Sequence, residues 1–210
     1  MKFAKIPPAT IGRLSVYTRH LQELTRQGVE IISSEKLAAL CSVNPAQIRK
    51  DLAYFGEFGV RGVGYYVKDL LFEIRKILGL NKEWNLGIVG TGNLGTALIG
   101  HENFLKQGYR FVAAFDNDPT KFARVLPNGL KVYDIKEVKR IKDEVGMEIG
   151  VITTPASRAQ EVANRLVEAG IRGILNFAPV RIHVPANCEV EYVDFTIRLD
   201  SLTYRLSVED

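Results

Sequence analysis

Residues 86–95 read Leu-Gly-Ile-Val-Gly-Thr-Gly-Asn-Leu-Gly, and this stretch is the strongest indication of the fold. A short apolar run leads directly into a G-x-G-x-x-G turn, and apolar residues at 94, 97 and 98 then follow at helical spacing. The pattern predicts a strand, a tight turn and a helix. In such a turn the first glycine permits the bend, the second lets the backbone approach a pyrophosphate, and the third lets the helix pack on the strand.

The glycine-rich turn also predicts where a nucleotide would bind. Free N–H groups and the helix dipole favour negative charge at the N-terminus of the helix, so we expect phosphates there. The predicted contacts are Gly90, Thr91, Gly92, Asn93, Leu94 and Gly95.

A second apolar run, residues 111–115, ends in Asp116, which lies 21 residues after Gly95. A dinucleotide-binding fold places a carboxylate at about this spacing to bind a ribose hydroxyl. Asp116 therefore favours NAD over NADP, because a 2′-phosphate would meet a like charge. The alternative is that Asp116 only opens the turn over residues 116–119, where Asp, Asn and Pro are typical.

The positive charge of the chain is concentrated in its N-terminal part. Residues 1–80 carry a net charge of +5 and the remainder −1, within a total of +4 for 210 residues. A basic unit beside a neutral one suggests a polyanion as partner of the first and a small ligand for the second, with ordinary surface lysine as the alternative. We predict a DNA-binding domain over 1–80, a linker over 81–85, a nucleotide-binding domain over 86–194 and a dimerisation helix over 195–210.

The cysteines and the apolar runs exclude several classes of protein. Cys41 and Cys188 lie far apart without metal-ligand spacing, so we expect neither a zinc site nor a disulfide framework. No run approaches the roughly 20 apolar residues that span a bilayer, and residues 1–5 lack the apolar core of a signal peptide. The sequence predicts a cytoplasmic protein with no metal and no membrane partner.

The N-terminal part predicts a helix-turn-helix. An amphipathic helix ends at Gly28, and a second begins after Ser33. The third follows at once, because Asn44 is a good N-cap, Pro45 suits the first turn and Gln47 stands where it would complete a capping box. Two short helices joined by a tight turn are typical of a DNA-binding motif.

The third helix presents a basic face. At about 100° per residue, Ile48, Leu52 and Phe55 form the core side, while Lys50 points outward between two alanines. Cationic side chains match guanine O6 and N7 in a major groove, whereas a plain solvated face is the alternative reading. The predicted DNA contacts of this helix are Gln47, Arg49, Lys50 and Tyr54.

Residues 57–66 predict a wing. They form a glycine-rich hairpin with Arg61 near its tip, attached directly to the third helix. A narrow tip with one cation can enter a minor groove, where A/T-rich sequence strengthens the negative potential.

Beyond Asp116 the chain alternates strands and helices, which predicts a Rossmann-like, doubly wound parallel sheet. Ligands bind at the carboxyl ends of such strands, where Thr154, Pro155 and Asn176 fall. A terminal helix begins at Phe195 with an apolar stripe, and it either packs on its own sheet or inserts into a second subunit.

Two segments in tandem carry a specific resemblance. Residues 49–56, Arg-Lys-Asp-Leu-Ala-Tyr-Phe-Gly, are followed by residues 59–65, Gly-Val-Arg-Gly-Val-Gly-Tyr. Both closely resemble the DNA-binding half of the Rex-type redox-sensing transcriptional repressors of bacteria. The G-x-G-x-x-G turn, residues 176–180 and residues 193–195 continue the resemblance over nearly the whole chain.

The resemblance implies a homodimer that binds palindromic operator DNA, senses the ratio of NADH to NAD+, and leaves the operator when NADH binds. It implies major-groove contacts for Arg49, Lys50 and Tyr54, a minor-groove contact for Arg61, and exchanged terminal helices that carry Phe195 to the partner's nicotinamide. Arg19 and Asp194 match positions that link the two domains, and His101 occupies the place of a tyrosine found in some members.

Two other classes of protein remain possible from the sequence. The same sheet serves small NAD-dependent dehydrogenases and CoA-binding enzyme domains, because a fold does not fix a function. A dehydrogenase needs an acid or base beside the nicotinamide, and neither His20 nor His183 lies at a strand end with a carboxylate partner. A structural basic protein with a vestigial nucleotide fold would have no cofactor affinity at all.

Overall fold

The computed structural model describes residues 6–208, and the chain divides into two compact units between Lys82 and Glu83. Residues 1–5, where a signal peptide was not expected, and residues 209–210 of the predicted dimerisation segment lie outside the described range. Within that range, no helix has the length and apolar character that a bilayer crossing requires.

The first unit is helical with a small two-stranded sheet. Its elements are α1 (Pro8–Arg26), β1 (Ile31–Ile32), α2 (Ser34–Cys41), α3 (Pro45–Ala53), β2 (Tyr65–Tyr66) and α4 (Val67–Ile77). The predicted caps of α2 and α3 are present: the Ser33 hydroxyl accepts from the Lys36 amide, and the Asn44 side chain accepts from the Gln47 amide at 2.8 Å. The second half of the capping box, in which the Gln47 side chain would accept from the Asn44 amide, does not form; the Gln47 side chain is turned toward Asp51 and donates to it.

Apolar side chains from all four helices fill the centre of this unit. Residues that are wholly or almost wholly buried come from α1, α2, α3 and α4, and they include Leu14, Leu21, Leu37, Ile48, Leu52, Leu70 and Ile74. The link between α2 and α3 is short because Ser42 adopts a left-handed conformation, with φ of 54°. The helix-turn-helix is therefore packed as one body.

The wing is narrower than the sequence predicted. A single antiparallel bridge joins Val60 and Gly64, and the strand that follows it, β2, pairs with β1 rather than with the other arm of the hairpin. Gly64 has φ of +114°, and a Cβ there would lie 2.5 Å from the carbonyl oxygen of Ile32. The close approach of the wing to β1 thus requires glycine.

The second unit has one parallel sheet flanked by helices. Its elements are β3 (Trp84–Val89), α5 (Asn93–Ile99), α6 (Asn103–Lys106), β4 (Tyr109–Asp116), β5 (Val132–Asp134), α7 (Val138–Val145), β6 (Ile149–Ile152), α8 (Ala156–Glu168), β7 (Gly173–Asn176), β8 (Glu189–Tyr192) and α9 (Phe195–Val208). The strands lie in the order β5-β4-β3-β6-β7-β8, and every neighbouring pair is parallel. This is the doubly wound order of dinucleotide-binding folds, so the predicted fold class is confirmed.

Successive residues of the central strands feed two cores, one on each face of the sheet. Ile88 and Ala114 belong to one core, and their chain neighbours Val89, Ala113 and Phe115 belong to the other. This alternation follows from the two-residue period of a strand. The chain order reverses between β3 and β6, which defines the crevice where such sheets bind ligands.

Two boundaries differ from those predicted. Residues 84–85 belong to β3 and not to a linker, because Trp84 and Asn85 pair with Tyr109 and Arg110 of β4. The last strand ends at Tyr192, two residues earlier than the predicted end at Asp194. Asp194 instead precedes α9 and accepts hydrogen bonds from the amide and hydroxyl of Thr196.

The terminal helix α9 is exposed along its length and contacts its own unit only near its first turn. None of its described side chains is buried, and Phe195 is 61% exposed. Its apolar side chains also form two stripes on opposite faces rather than the single stripe that the sequence suggested. At about 100° per residue, Phe195, Leu199, Leu202 and Leu206 share one face, whereas Ile197, Tyr204 and Val208 share the other.

Candidate functional site

A cleft of about 500 Å³ lies at the carboxyl ends of β3, β4 and β6, at the point where the strand order reverses. Of the predicted cofactor residues, it brings together Gly90, Gly92, Asp116, Thr154 and Pro155. The remaining lining comes from β3, the loop after β4, the turn before α7, the end of β6, and α8: Val89, Asn117, Asp118, Lys121, Ile135, Thr153, Arg158, Glu161, Val162 and Arg165.

The three glycines of the turn meet different surroundings. A Cβ on Gly90, which has φ of +102°, would lie 2.9 Å from the backbone of Thr153, and a Cβ on Gly95 would overlap the carbonyl oxygen of Gly90. A Cβ on Gly92 would have no atom of the described residues within 4 Å. Gly90 and Gly95 are therefore required by packing, whereas the space over Gly92 is open to a ligand.

Asp116 is held by the protein itself. Its Oδ2 accepts from the Thr91 amide and hydroxyl, both at 2.8 Å, and from Lys121 Nζ at 2.9 Å. Its Oδ1 accepts from the amides of Asn117 and Asp118. Burial alone would raise the pKa of Asp116, but these donors, with the Thr91 amide foremost, outweigh it and hold the pKa at about 2. The carboxylate is thus ionised. Its Oδ1 contacts open the turn over residues 116–119, which is the structural role that the sequence left open as an alternative. Its contacts with Thr91 also shape the glycine-rich turn.

Two polar atoms at the cleft have no protein partner in the described part of the chain. The hydroxyl of Thr154 and the Nε of Arg165 are both buried from solvent and without a hydrogen bond. Leaving a buried polar atom without a hydrogen-bond partner lowers the stability of a protein by about 1–3 kcal/mol. A bound molecule that supplies such a partner would therefore bind more tightly here. Thr154 was predicted from its strand-end position, whereas Arg165 was not.

The charged side chains that line the cleft cancel one another. Three cations face three carboxylates, and close pairs join Lys121 to Asp116, and Arg158 and Arg165 to Glu161. Positive side chains are therefore not concentrated at this cleft. The groups at this cleft that favour an anion are the backbone amides at the start of α5.

The other predicted cofactor residues lie outside the lining of this cleft. Thr91 is buried against Asp116, and Asn93 and Leu94 are exposed at the start of α5. The side-chain amide of Asn176 is buried and shapes the loop after β7, since it bonds the backbone of Ala178 and Val180. Phe195 packs on Phe177, with ring centroids 6.2 Å apart.

The first unit carries a groove of about 580 Å³ between α3 and the wing. Arg49 and Arg61 both line it, and both are exposed. Arg49 donates to the Ser34 hydroxyl at 2.9 Å and lies 3.7 Å from a carboxylate oxygen of Glu35. Lys50 on α3 and Tyr54, the C-cap residue that follows it, are also exposed, so four of the five predicted DNA contacts are accessible to a ligand.

The fifth predicted DNA contact, Gln47, is turned toward a buried carboxylate that the sequence analysis missed. Asp51 is fully buried on α3 and accepts from Gln47 Nε2 at 2.8 Å. It also accepts from three side chains of α1: Thr10, Arg13 and Tyr17. An acidic residue beside the apolar positions 48, 52 and 55 was the available signal, because a charge on that face must find partners.

The residues predicted to link the domains lie in both units. Arg19 is exposed on α1 of the first unit. In the second unit, His101 accepts from the Asn103 amide at 3.2 Å and borders a separate cleft, and Asp194 caps α9. Hydrogen bonds from Thr196 lower the pKa of Asp194. Within residues 6–208, no cluster of three or more His, Cys, Asp or Glu side chains forms a candidate metal site.

The two sites together define a class of protein. A helix-turn-helix with a wing presents cations on one unit, and a dinucleotide-type cleft lies on the other. This combination is that of a ligand-responsive transcription regulator.

Comparison with known proteins identifies the family. Residues 5–53 match the family model of a putative DNA-binding protein N-terminus, and residues 81–180 match that of a CoA binding domain. A redox-sensing transcriptional repressor Rex from Syntrophobacter fumaroxidans is 64% identical, with 99% of both chains covered. Its counterpart from Carboxydothermus hydrogenoformans is 50% identical, with 98% of this chain and 99% of the relative covered. The chain belongs to the Rex family of redox-sensing transcriptional repressors.

Solved structures agree with this assignment. The crystal structure of RSP in complex with β-NAD+ and operator DNA has a TM-score of 0.92 and 38% identity, covering 98% of this chain and 94% of RSP. RSP in complex with β-NADH has a TM-score of 0.87 and 36% identity, covering 98% and 96% of the two chains.

Proposed function

We propose that this chain is a cytoplasmic repressor that reads the ratio of NADH to NAD+. As a homodimer it binds a palindromic operator when NADH is low and leaves it when NADH binds. The open space over Gly92 at the strand-order reversal carries the proposal, because packing does not require a glycine there whereas a bound pyrophosphate does. Complexes of the related RSP with NAD+, NADH and operator DNA support the same conclusion.

On the DNA side, α3 enters the major groove and the wing lies beside it. Lys50 and Arg49 supply the donors for guanine, and Tyr54 flanks them. Arg61, at the tip of the wing, enters the adjacent minor groove. Gln47 supports α3 from its inner side and does not contact a base, because its side-chain amide already donates to Asp51.

On the cofactor side, the first turn of α5 and the glycine-rich turn hold the pyrophosphate. Asp116 keeps that turn in shape through the Thr91 amide, and it repels the 2′-phosphate of NADP at the adenosine end. Thr154 gains a partner for its buried hydroxyl when the cleft is occupied. Phe195, delivered by the exchanged α9 of the partner, suits the neutral reduced ring better than the cationic oxidised one.

A thiol-based redox switch fits the chain less well than a cofactor-based one. Reactive cysteines have lowered pKa values, because the thiolate is the reacting form. Burial raises the pKa of Cys41 to about 11 and also raises that of Cys188. Membership of a repressor family decides against the enzyme alternatives, so the cofactor is sensed and not consumed.

The decisive test uses coupling between the two ligands. If NADH lowers operator affinity by some factor, operator DNA must lower NADH affinity by the same factor. The operator would be a duplex selected from a random pool in the presence of NAD+, and NADH affinity would be measured by fluorescence with and without it. A random duplex of equal length is the control. Equal NADH affinities with operator and with random duplex would leave a protein without a redox switch and would contradict the proposal.

A further inference from the structure

The buried carboxylate of Asp51 joins the recognition helix α3 to α1. Arg13 donates to both of its oxygens, from Nε at 2.6 Å and from Nη2 at 2.7 Å. The Tyr17 hydroxyl donates at 2.8 Å and the Thr10 hydroxyl at 3.1 Å, and Gln47 completes the shell from within α3. We call these five residues the Asp51 cluster. It lies one residue from Lys50 and two from Arg49, on the inner side of the helix that presents them.

The hydrogen bonds of the cluster keep the Asp51 carboxyl group ionised. Burial would raise the pKa of Asp51, but hydrogen bonds from Arg13, Tyr17 and Gln47 outweigh it and hold the pKa at about 2. The same contact raises the pKa of Arg13. Asp51 is therefore a carboxylate throughout the physiological range, and it accepts a hydrogen bond from each of the four other residues of the cluster.

Stability alone does not account for such a cluster. A buried ion pair recovers little beyond its own desolvation cost, and an apolar side chain of similar volume is often as stable. What hydrogen bonds add is direction, because each has a narrow range of distance and angle. The apolar contacts of Ile48 and Leu52 have no such preference and tolerate some rotation of α3 about its axis.

We propose that Asp51, with Arg13, is a positioning residue for sequence recognition: the cluster fixes the rotation of α3 and thereby aims Arg49 and Lys50 at their bases. The inference rests on the proposed function and deepens it. Side-chain tips lie about 5–6 Å from a helix axis, so a rotation of about 20° moves them by about 2 Å. Such a displacement breaks a paired hydrogen bond to a base, whereas a phosphate contact adjusts to it.

The test separates aim from stability and from charge. Asp51→Asn keeps the shape of the side chain and removes its charge, and Arg13→Lys keeps the charge but loses the two-pronged contact. Ile48→Val is the control, because Ile48 is a fully buried residue of the same helix that lies outside the cluster. For each variant, the affinity for the selected operator is divided by the affinity for a random duplex, in NAD+ at one salt concentration and at a temperature where all variants are folded.

We expect both cluster variants to lose about tenfold or more in this ratio, the loss that goes with one paired base contact, while Ile48→Val keeps it. Random-duplex affinity, its salt dependence and NADH affinity should stay the same. If Asp51→Asn does not fold, Arg13→Lys tests the inference alone. This variant should fold, because the side chain at position 13 is 28% exposed and lysine keeps its positive charge. An unchanged ratio in the cluster variants, or an equal loss in Ile48→Val, would overturn the inference. A wild-type chain without operator preference would instead contradict the proposed function.

Discussion

At the scale of single residues, the three glycines of the turn show that one motif contains two kinds of constraint. Gly90 and Gly95 are needed because other parts of the chain occupy the space of a Cβ. No packing contact within residues 6–208 requires a glycine at position 92, since a Cβ there would meet no other atom. The motif therefore combines a packing requirement with a ligand requirement, and substitutions should separate the two.

Gly92→Ala should fold normally and bind both NAD+ and NADH at least about tenfold more weakly, because a methyl group would occupy the space of the pyrophosphate. Gly95→Ala is the matched control, since its Cβ would strike the Gly90 carbonyl and lower the melting temperature instead. Thermal unfolding without ligand and fluorescence titration with NADH measure the two effects. Unchanged cofactor affinity in Gly92→Ala would remove the pyrophosphate from the glycine-rich turn.

Local spacing predicted the glycines, but it did not predict the partners of the buried acids. Asp116 was expected to bind a ribose, and its contact with Thr91 joins residues 25 positions apart. Asp51 was not singled out at all, and its partner Thr10 lies 41 positions away. Periodicity places a residue on a face of a helix, whereas the identity of its partner depends on how two helices pack. That information is not contained in a short window of sequence.

At the scale of elements, the recognition helix and the wing have different roles in the proposed reading of DNA. The caps and the apolar spacing predicted α3 to within a residue at its start, because these signals are local. The wing was harder to predict, since its strand β2 pairs with β1, more than 30 residues earlier. The result is a groove with Arg49 on its helical wall and Arg61 on the wing.

Lys50→Ala and Arg61→Ala should therefore change the sequence preference of DNA binding in different ways. Loss of Lys50 should cost about 1–3 kcal/mol at particular base pairs and relax the preference there. Loss of Arg61 should reduce the preference for A/T-rich flanks, because a cation in a narrow minor groove senses its potential. Binding to a set of operator variants distinguishes the two patterns.

Arg26→Ala is the control for these variants, because it removes one exposed positive charge from the end of α1. Arg26→Ala should lower the affinity for all duplexes equally, or leave it unchanged. If Arg61→Ala weakened every sequence equally, the wing would contact only phosphates, and its minor-groove assignment would be wrong.

At the scale of the whole molecule, α9 is the feature that a single chain does not explain. Two apolar stripes on opposite faces require cover on both sides, as in a helix that inserts between other elements. A helix lying flat on one surface would need only one stripe. The sequence left open whether α9 packs on its own sheet, and the exposure of all its described side chains favours insertion into a second subunit.

Removal of residues 195–210 should therefore abolish the dimer and, with it, binding to a palindromic operator, because a two-fold axis matches the two half-sites. Since the truncated chain would also lose Phe195, the sharper variant is Leu202→Glu, which places a charge in one apolar stripe. Thr203→Glu, between the stripes, is its control. Sedimentation should find Leu202→Glu shifted to monomer or aggregate and Thr203→Glu dimeric. A dimer of normal stability in Leu202→Glu would show that this stripe faces solvent. The proposal that α9 is exchanged between subunits would then be wrong.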